Sequence, residues 1–123
     1  MRPRLAALAL LLLCGLALLL GPAPAQAAEV LQVRSGQLLQ VGDHNRTYTV
    51  ELACLAIPPG GDAAATAWLR NGLPRRTRVN LRPQGTHGGT LVARVQPLQG
   101  GDLSDGLIAA GLASRPADCS PTA

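Results

Sequence analysis

The stretch Thr47-Tyr48-Thr49-Val50-Glu51-Leu52-Ala53-Cys54-Leu55-Ala56 runs into Ile57-Pro58-Pro59-Gly60-Gly61. Val50, Leu52 and Cys54 alternate with Thr49, Glu51 and Ala53, the period of a strand with one buried face. Tyr, Thr and Val suit a pleated, half-buried surface, and two prolines followed by two glycines end it abruptly. Function is expected at the mouth of this strand.

Two more strands precede it. Glu29 to Arg34 reads as the first, Ser35-Gly36 as a turn, and Gln37 to Val41 as the second; Gly42 to Arg46 then forms a hairpin loop. After the central strand, Asp62 is a good N-cap for an alanine-rich helix over residues 63–71, stopped by Gly72 and Pro74. Val79 to Arg82 reads as a fourth strand, Pro83 to Gly89 as a loop and Thr90 to Val95 as a fifth strand. Asp102 and Ser104 can cap a last helix over residues 105–112. Five short strands, with one helix between the third and fourth and another after the fifth, suit a small, mainly β barrel of the OB type.

The chain has 123 residues, but its start does not read as part of a fold. Arg2 and Arg4 precede the 16-residue apolar run Leu5 to Leu20, and Pro22 and Pro24 lead to Ala25-Gln26-Ala27. That is the pattern of a cleaved secretory signal, and the run is short of the roughly 18 residues of a membrane span. An uncleaved anchor is the alternative. Cys14 has Leu13 rather than a small residue before it, which argues against a lipoprotein site. The expected layout is a signal peptide over residues 1–27, one domain over 28–115 and a tail over 116–123. The product is expected to be secreted or periplasmic, monomeric and without a membrane span.

Without residues 1–27, the 11 basic residues fall to 9, all arginine, against 7 acids, a net charge of +2. So mild an excess is compatible with a polyanionic partner without arguing strongly for one. Two cysteines remain, Cys54 and Cys119, and outside a reducing compartment a disulfide between them is expected. A buried Cys54 with a free tail thiol is the alternative.

Several segments carry a resemblance. Ser35-Gly36-Gln37-Leu38-Leu39, Thr47 to Cys54, Ala67-Trp68-Leu69, and the run from Asp102-Leu103-Ser104 to Gly111-Leu112-Ala113 resemble the staphylococcal nuclease (thermonuclease-like) family. The resemblance spans about Val30 to Ala113. It implies an OB barrel and, for active members, calcium-dependent phosphodiester hydrolysis of DNA and RNA. Such chemistry needs carboxylates for a hard cation, arginines for the phosphate and a carboxylate to position water.

The positions that match those roles are occupied differently here. The family's Asp-Gly-Asp-Thr reads Ser35-Gly36-Gln37-Leu38, so Gln37 stands in place of a metal-binding Asp. Glu51 stands where an arginine grips the phosphate, and a carboxylate there repels it. The family's Asp-x-Pro-Glu reads Ala56-Ile57-Pro58-Pro59, so Ala56 and Pro59 replace the second metal ligand and the general base. Thr90 takes the place of the second arginine, and no arginine lies between Arg82 and Arg94. The expectation is therefore a binding or interaction domain without catalysis. Two alternatives stay open: a calcium-dependent nuclease using other ligands, and a weak electrostatic nucleic-acid binder. No cofactor is expected, calcium entering only with the nuclease reading, and the partner, weak nucleic acid or protein, is not identified.

Arg70, Arg75, Arg76, Arg78 and Arg82 are the densest charge cluster. They offer a phosphate-tracking patch, or else a helix end stabilised by cations and then a solvated loop. Single-strand binders usually add aromatic stacking platforms, and only Tyr48 and Trp68 are available. Trp68 reads as a core anchor and Tyr48 as a rim residue. His44, beside Asp43, and His87 fall in separate loops without ligand spacing and read as loop residues rather than metal ligands. Asn45-Arg46-Thr47 matches a glycosylation sequon.

Overall fold

The computed structural model describes residues 26–119. It contains β1 (Gln26–Val33), β2 (Leu38–Asp43), β3 (Arg46–Leu52), α1 (Asp62–Gly72), β4 (Thr77–His87), β5 (Thr90–Pro97) and α2 (Leu103–Ala109). The strands close into a barrel in the order β1-β2-β3-β5-β4. All pairs are antiparallel except β3 with β5, which run parallel from Val50 opposite Leu91 to Leu52 opposite Ala93. The molecule is a closed, five-stranded, OB-like barrel, mainly β, with two helices.

Alternation decides which side chains enter the barrel. Val30, Leu39, Val41, Val50, Leu52, Val79, Leu81, Ala93 and Val95 are buried and meet in one core. α1 adds Ala65 and Leu69, and α2 adds Leu103 and Leu107. At roughly 1.5–3 kcal/mol for each fully buried branched side chain, this apolar set is what holds the barrel closed.

The expected helix between the third and fourth strands and the expected helix after the fifth are both present; several boundaries differ. The central strand stops at Leu52, four residues short of Ala56, because Cys54 takes a positive φ of 58° and turns the chain away. Cys54 therefore does not continue the inward alternation of Val50 and Leu52. The loop expected over 83–89 is instead the outer half of β4, which continues to His87 before a Gly88-Gly89 turn into Thr90. The register shifts between Pro83 and Gly85, where proline has no N–H to give to the ladder. The first hairpin loop tightens to His44-Asn45, since Asp43 pairs with Arg46. The last helix ends at Ala109 rather than Leu112. Gly111, at φ 76°, lets Leu112 N donate to Leu107 O and Gly111 N to Ile108 O, both at 3.0 Å, which closes the helix end.

The apolar run from Leu5 to Leu20 lies outside the described residues. β1 begins at Gln26, and Gln26 and Ala27 pair with Leu81 and Asn80. The expected cleavage point after Ala27 therefore falls inside this strand. No helix among the described residues is long and apolar enough to cross a membrane.

The chain is fastened as far as Cys119. Ala56 and Ser114 exchange backbone hydrogen bonds of 2.9 Å, and Cys54 is joined to Cys119 by a disulfide with 5.6 Å between the Cα atoms. The expected pairing of the two cysteines is present.

Candidate functional site

The Ser35-Gly36-Gln37 turn is locked from three sides. Ser35 Oγ accepts from Gln37 N and Leu38 N, Gln37 O accepts from Leu52 N at 2.8 Å, and Gly36 N donates to Asp62 Oδ1 at 2.8 Å. Asp62 is thus the first residue of α1 rather than its N-cap. Gly61 holds the cap position without a side-chain bond, and the Asp62 carboxylate ties the helix start to this turn instead. A Cβ on Gly36 would come within 2.7 Å of Ala65 Cβ and 2.8 Å of Ile57 Cδ1, so the turn and α1 touch backbone to side chain.

Gln37 points its amide back into the protein, where Nε2 donates to Leu55 O at 3.0 Å. Glu51 lies on β3 between Leu38 on β2 and Val92 on β5. Both its carboxylate oxygens lie 3.3 Å from Nδ1 of His87, whose side chain is otherwise exposed. Thr90 pairs with His87 across the last rung of the β4–β5 hairpin. Gln37, Glu51 and Thr90 thus belong to neighbouring rungs of one barrel wall. Ala56 and Pro59 do not join them. Ala56 is exposed and bridged to Ser114, and Pro59 is exposed in the turn before α1.

The five arginines are exposed and stand on different parts of the fold. Arg70 stands in the last turn of α1, and Arg75 and Arg76 lie in the turn before β4. Arg78 is paired in register with Glu29, and Arg82 with Arg94. His44 lies 3.8 Å from Asp43 on the β2–β3 turn, on a different hairpin from His87. Among the described residues no three His, Cys, Asp or Glu side chains converge as a metal site would need.

Trp68 is half buried and lies between the two helices rather than inside the barrel; a Cβ on Gly106 of α2 would meet its ring at 2.6 Å. Tyr48 is half buried at the rim, packed against the core. Burial, and then the nearby Asp43 carboxylate, raise its phenol above the ordinary value, while Arg46 lowers it.

No protein-family model matches the chain, and no curated protein matches it.

Three arrangements were missed by the reading of the sequence, and the first two have no mark in its pattern. The Glu51–His87 contact joins residues 36 apart and depends on the β3–β5 register. The tie from Asp62 to Gly36 spans 26 residues. Arg94, on β5, is buried under α2, where Nη1 donates to Asp102 Oδ2 at 3.2 Å and Asp105 Oδ1 at 3.3 Å. Arg115, next to the tail, reaches the same Asp105 oxygen. Asp102 and Asp105, so soon after a strand carrying an outward arginine, were the available signal for this last group. It joins helix, strand and the residue next to the tail, and its burial marks it as structural.

Proposed function

We propose that this is an exported, staphylococcal-nuclease-like barrel in which the catalytic positions have been replaced and which acts as a binding domain. The observation that carries the reading is Glu51. On the strand position that resembles the family's phosphate-gripping arginine stands a carboxylate, and it is engaged by His87. A negative group there opposes a phosphodiester instead of neutralising it. Gln37 supports the same reading, because its amide, held through Nε2 by Leu55 O, would bring a cation no charge. The order of strands and the placement of the two helices are compatible with the family's barrel. Losing one transition-state contact of this kind typically costs about 100- to 1000-fold in rate. With Gln37, Glu51, Ala56, Pro59 and Thr90 all lacking the required groups, turnover is expected to be undetectable.

Fluorescently labelled single-stranded DNA and RNA, incubated with the purified protein in calcium and then in chelator, test this. The expected outcome is intact substrate under both conditions. Chelator-sensitive cleavage that co-purifies with the protein and survives Glu51→Gln would overturn the binding-domain reading in favour of a nuclease with other ligands.

A further inference from the structure

From Ala63 to Gly101 the chain holds six arginines and no aspartate or glutamate. Folding lays this segment against β1 at two points, one by a guanidinium and one by main chain. Val33 O accepts from Arg70 Nη2 at 3.3 Å, and Val30 O accepts from Arg76 N at 2.7 Å. Arg34, next along from Val33, has its own guanidinium held by Gln40 Oε1 at 3.2 Å. Arg34 and Arg70, from elements far apart in sequence, thereby line one cleft of about 490 Å³ between the end of β1 and the outer side of α1. Thr66, Ala67 and Asn71 form its helix wall.

The chemistry of the cleft is that of an anion receptor. A guanidinium carries five N–H donors in a fork that matches phosphate geometry. Among the described residues, Arg34 and Arg70 each commit one side-chain donor. Those bonds hold both side chains in place, which lowers the ordering cost of capturing a ligand. Asp62 also lines the cleft, but its oxygens accept from Gly36 N at 2.8 Å and Thr66 Oγ1 at 3.4 Å. With two guanidinium groups against this one carboxylate, the lining of the cleft carries a net positive charge.

We propose that this cleft binds a terminal phosphate group, with Arg34 and Arg70 as its two cationic contacts and the Asn71 amide at its edge. Two guanidinium groups favour a dianion over a carboxylate, because a phosphate monoester carries about −1.5 to −2 at neutral pH. The inference gives the binding domain a ligand class and rests on that reading only to that extent. It uses none of Gln37, Glu51, Ala56, Pro59 or Thr90, so it can fail while the hydrolysis result stands, and the reverse.

Calorimetric titration of the purified protein at low salt with inorganic pyrophosphate, glycerol phosphate and acetate tests the site and separates free from esterified phosphate. Saturable binding of pyrophosphate or glycerol phosphate is expected, with none for acetate. Arg34→Gln and Arg70→Gln should each weaken binding by about tenfold or more, the size of one lost charge-assisted contact. Arg70→Lys, which keeps the charge but not the fork, should fall between. Arg46→Gln, on the other hairpin, should change it by less than about twofold, and circular dichroism would show all variants folded. Absence of saturable phosphate binding, or an equal loss from Arg46→Gln and Arg34→Gln, would overturn the proposal.

Discussion

Tyr48 is the protein's only tyrosine, so its titration can be followed by phenolate absorbance without interference. Its ordinary pKa is near 10, and in the fold burial and then Asp43 raise it. The native state therefore holds the phenol proton to higher pH than the unfolded chain does. Proton binding by the native state in excess of the unfolded one makes stability fall as pH rises. The contribution is complete below about pH 10 and is lost as pH climbs through the native value. We expect an absorbance midpoint above 10 in the folded protein, and a smaller elevation in Asp43→Asn. A midpoint at or below 10 would contradict the burial seen at the rim. At this scale the sequence was only partly informative. The alternation of Val50 and Leu52 placed both in the core, yet nothing in Glu51 itself announced a contact with His87. That contact is a product of register, and register is set by closure of the whole sheet.

Elements were easier to recognise than their ends. Alternation marked the central strand, because burial of one face is what produces the pattern, and caps and breakers marked both helices. The ends failed where local chemistry competed with tertiary pairing. Pro83 and Gly85 read as loop residues, yet the ladder to β5 passes over them by a register shift. Asp62 read as a cap and is instead the link between α1 and the β1–β2 turn. Gly36 lies at that junction. Gly36→Ala would drive a methyl against Ala65 and Ile57, at 2.7 and 2.8 Å in the unrelaxed structure. Overpacking of this kind typically costs about 1–3 kcal/mol. Urea unfolding of the variant should give a lower midpoint with an unchanged slope. No loss of stability would mean that α1 can move away from the turn at little cost.

For the molecule as a whole, the largest single constraint is covalent. The Cys54–Cys119 bond joins residues 65 apart. In the chain-entropy account, closing a loop of that length stabilises by about 4 kcal/mol, and removing a native disulfide from a small domain commonly costs about 2–5 kcal/mol. Cys54→Ser with Cys119→Ser should lower the thermal midpoint accordingly, by calorimetry under conditions where the reduced parent behaves the same way. A double variant as stable as the oxidised parent would show that the Ala56–Ser114 bridge and the Arg115–Asp105 contact hold the tail unaided. Two cysteines beyond a signal-like start made the pairing legible in advance, whereas the route of the chain back to Ala56 left no trace in the residues around Pro116. The same bond also changes how the protein carries mechanical load. Residues 54 to 119 form a covalent ring containing α1, β4, β5 and α2. A tension applied between the chain's two ends would pass from Cys54 directly to Cys119. Only β1, β2 and β3 could be drawn out as extended chain, while the ring, even stripped of its partners, would bear no stretching force along its length.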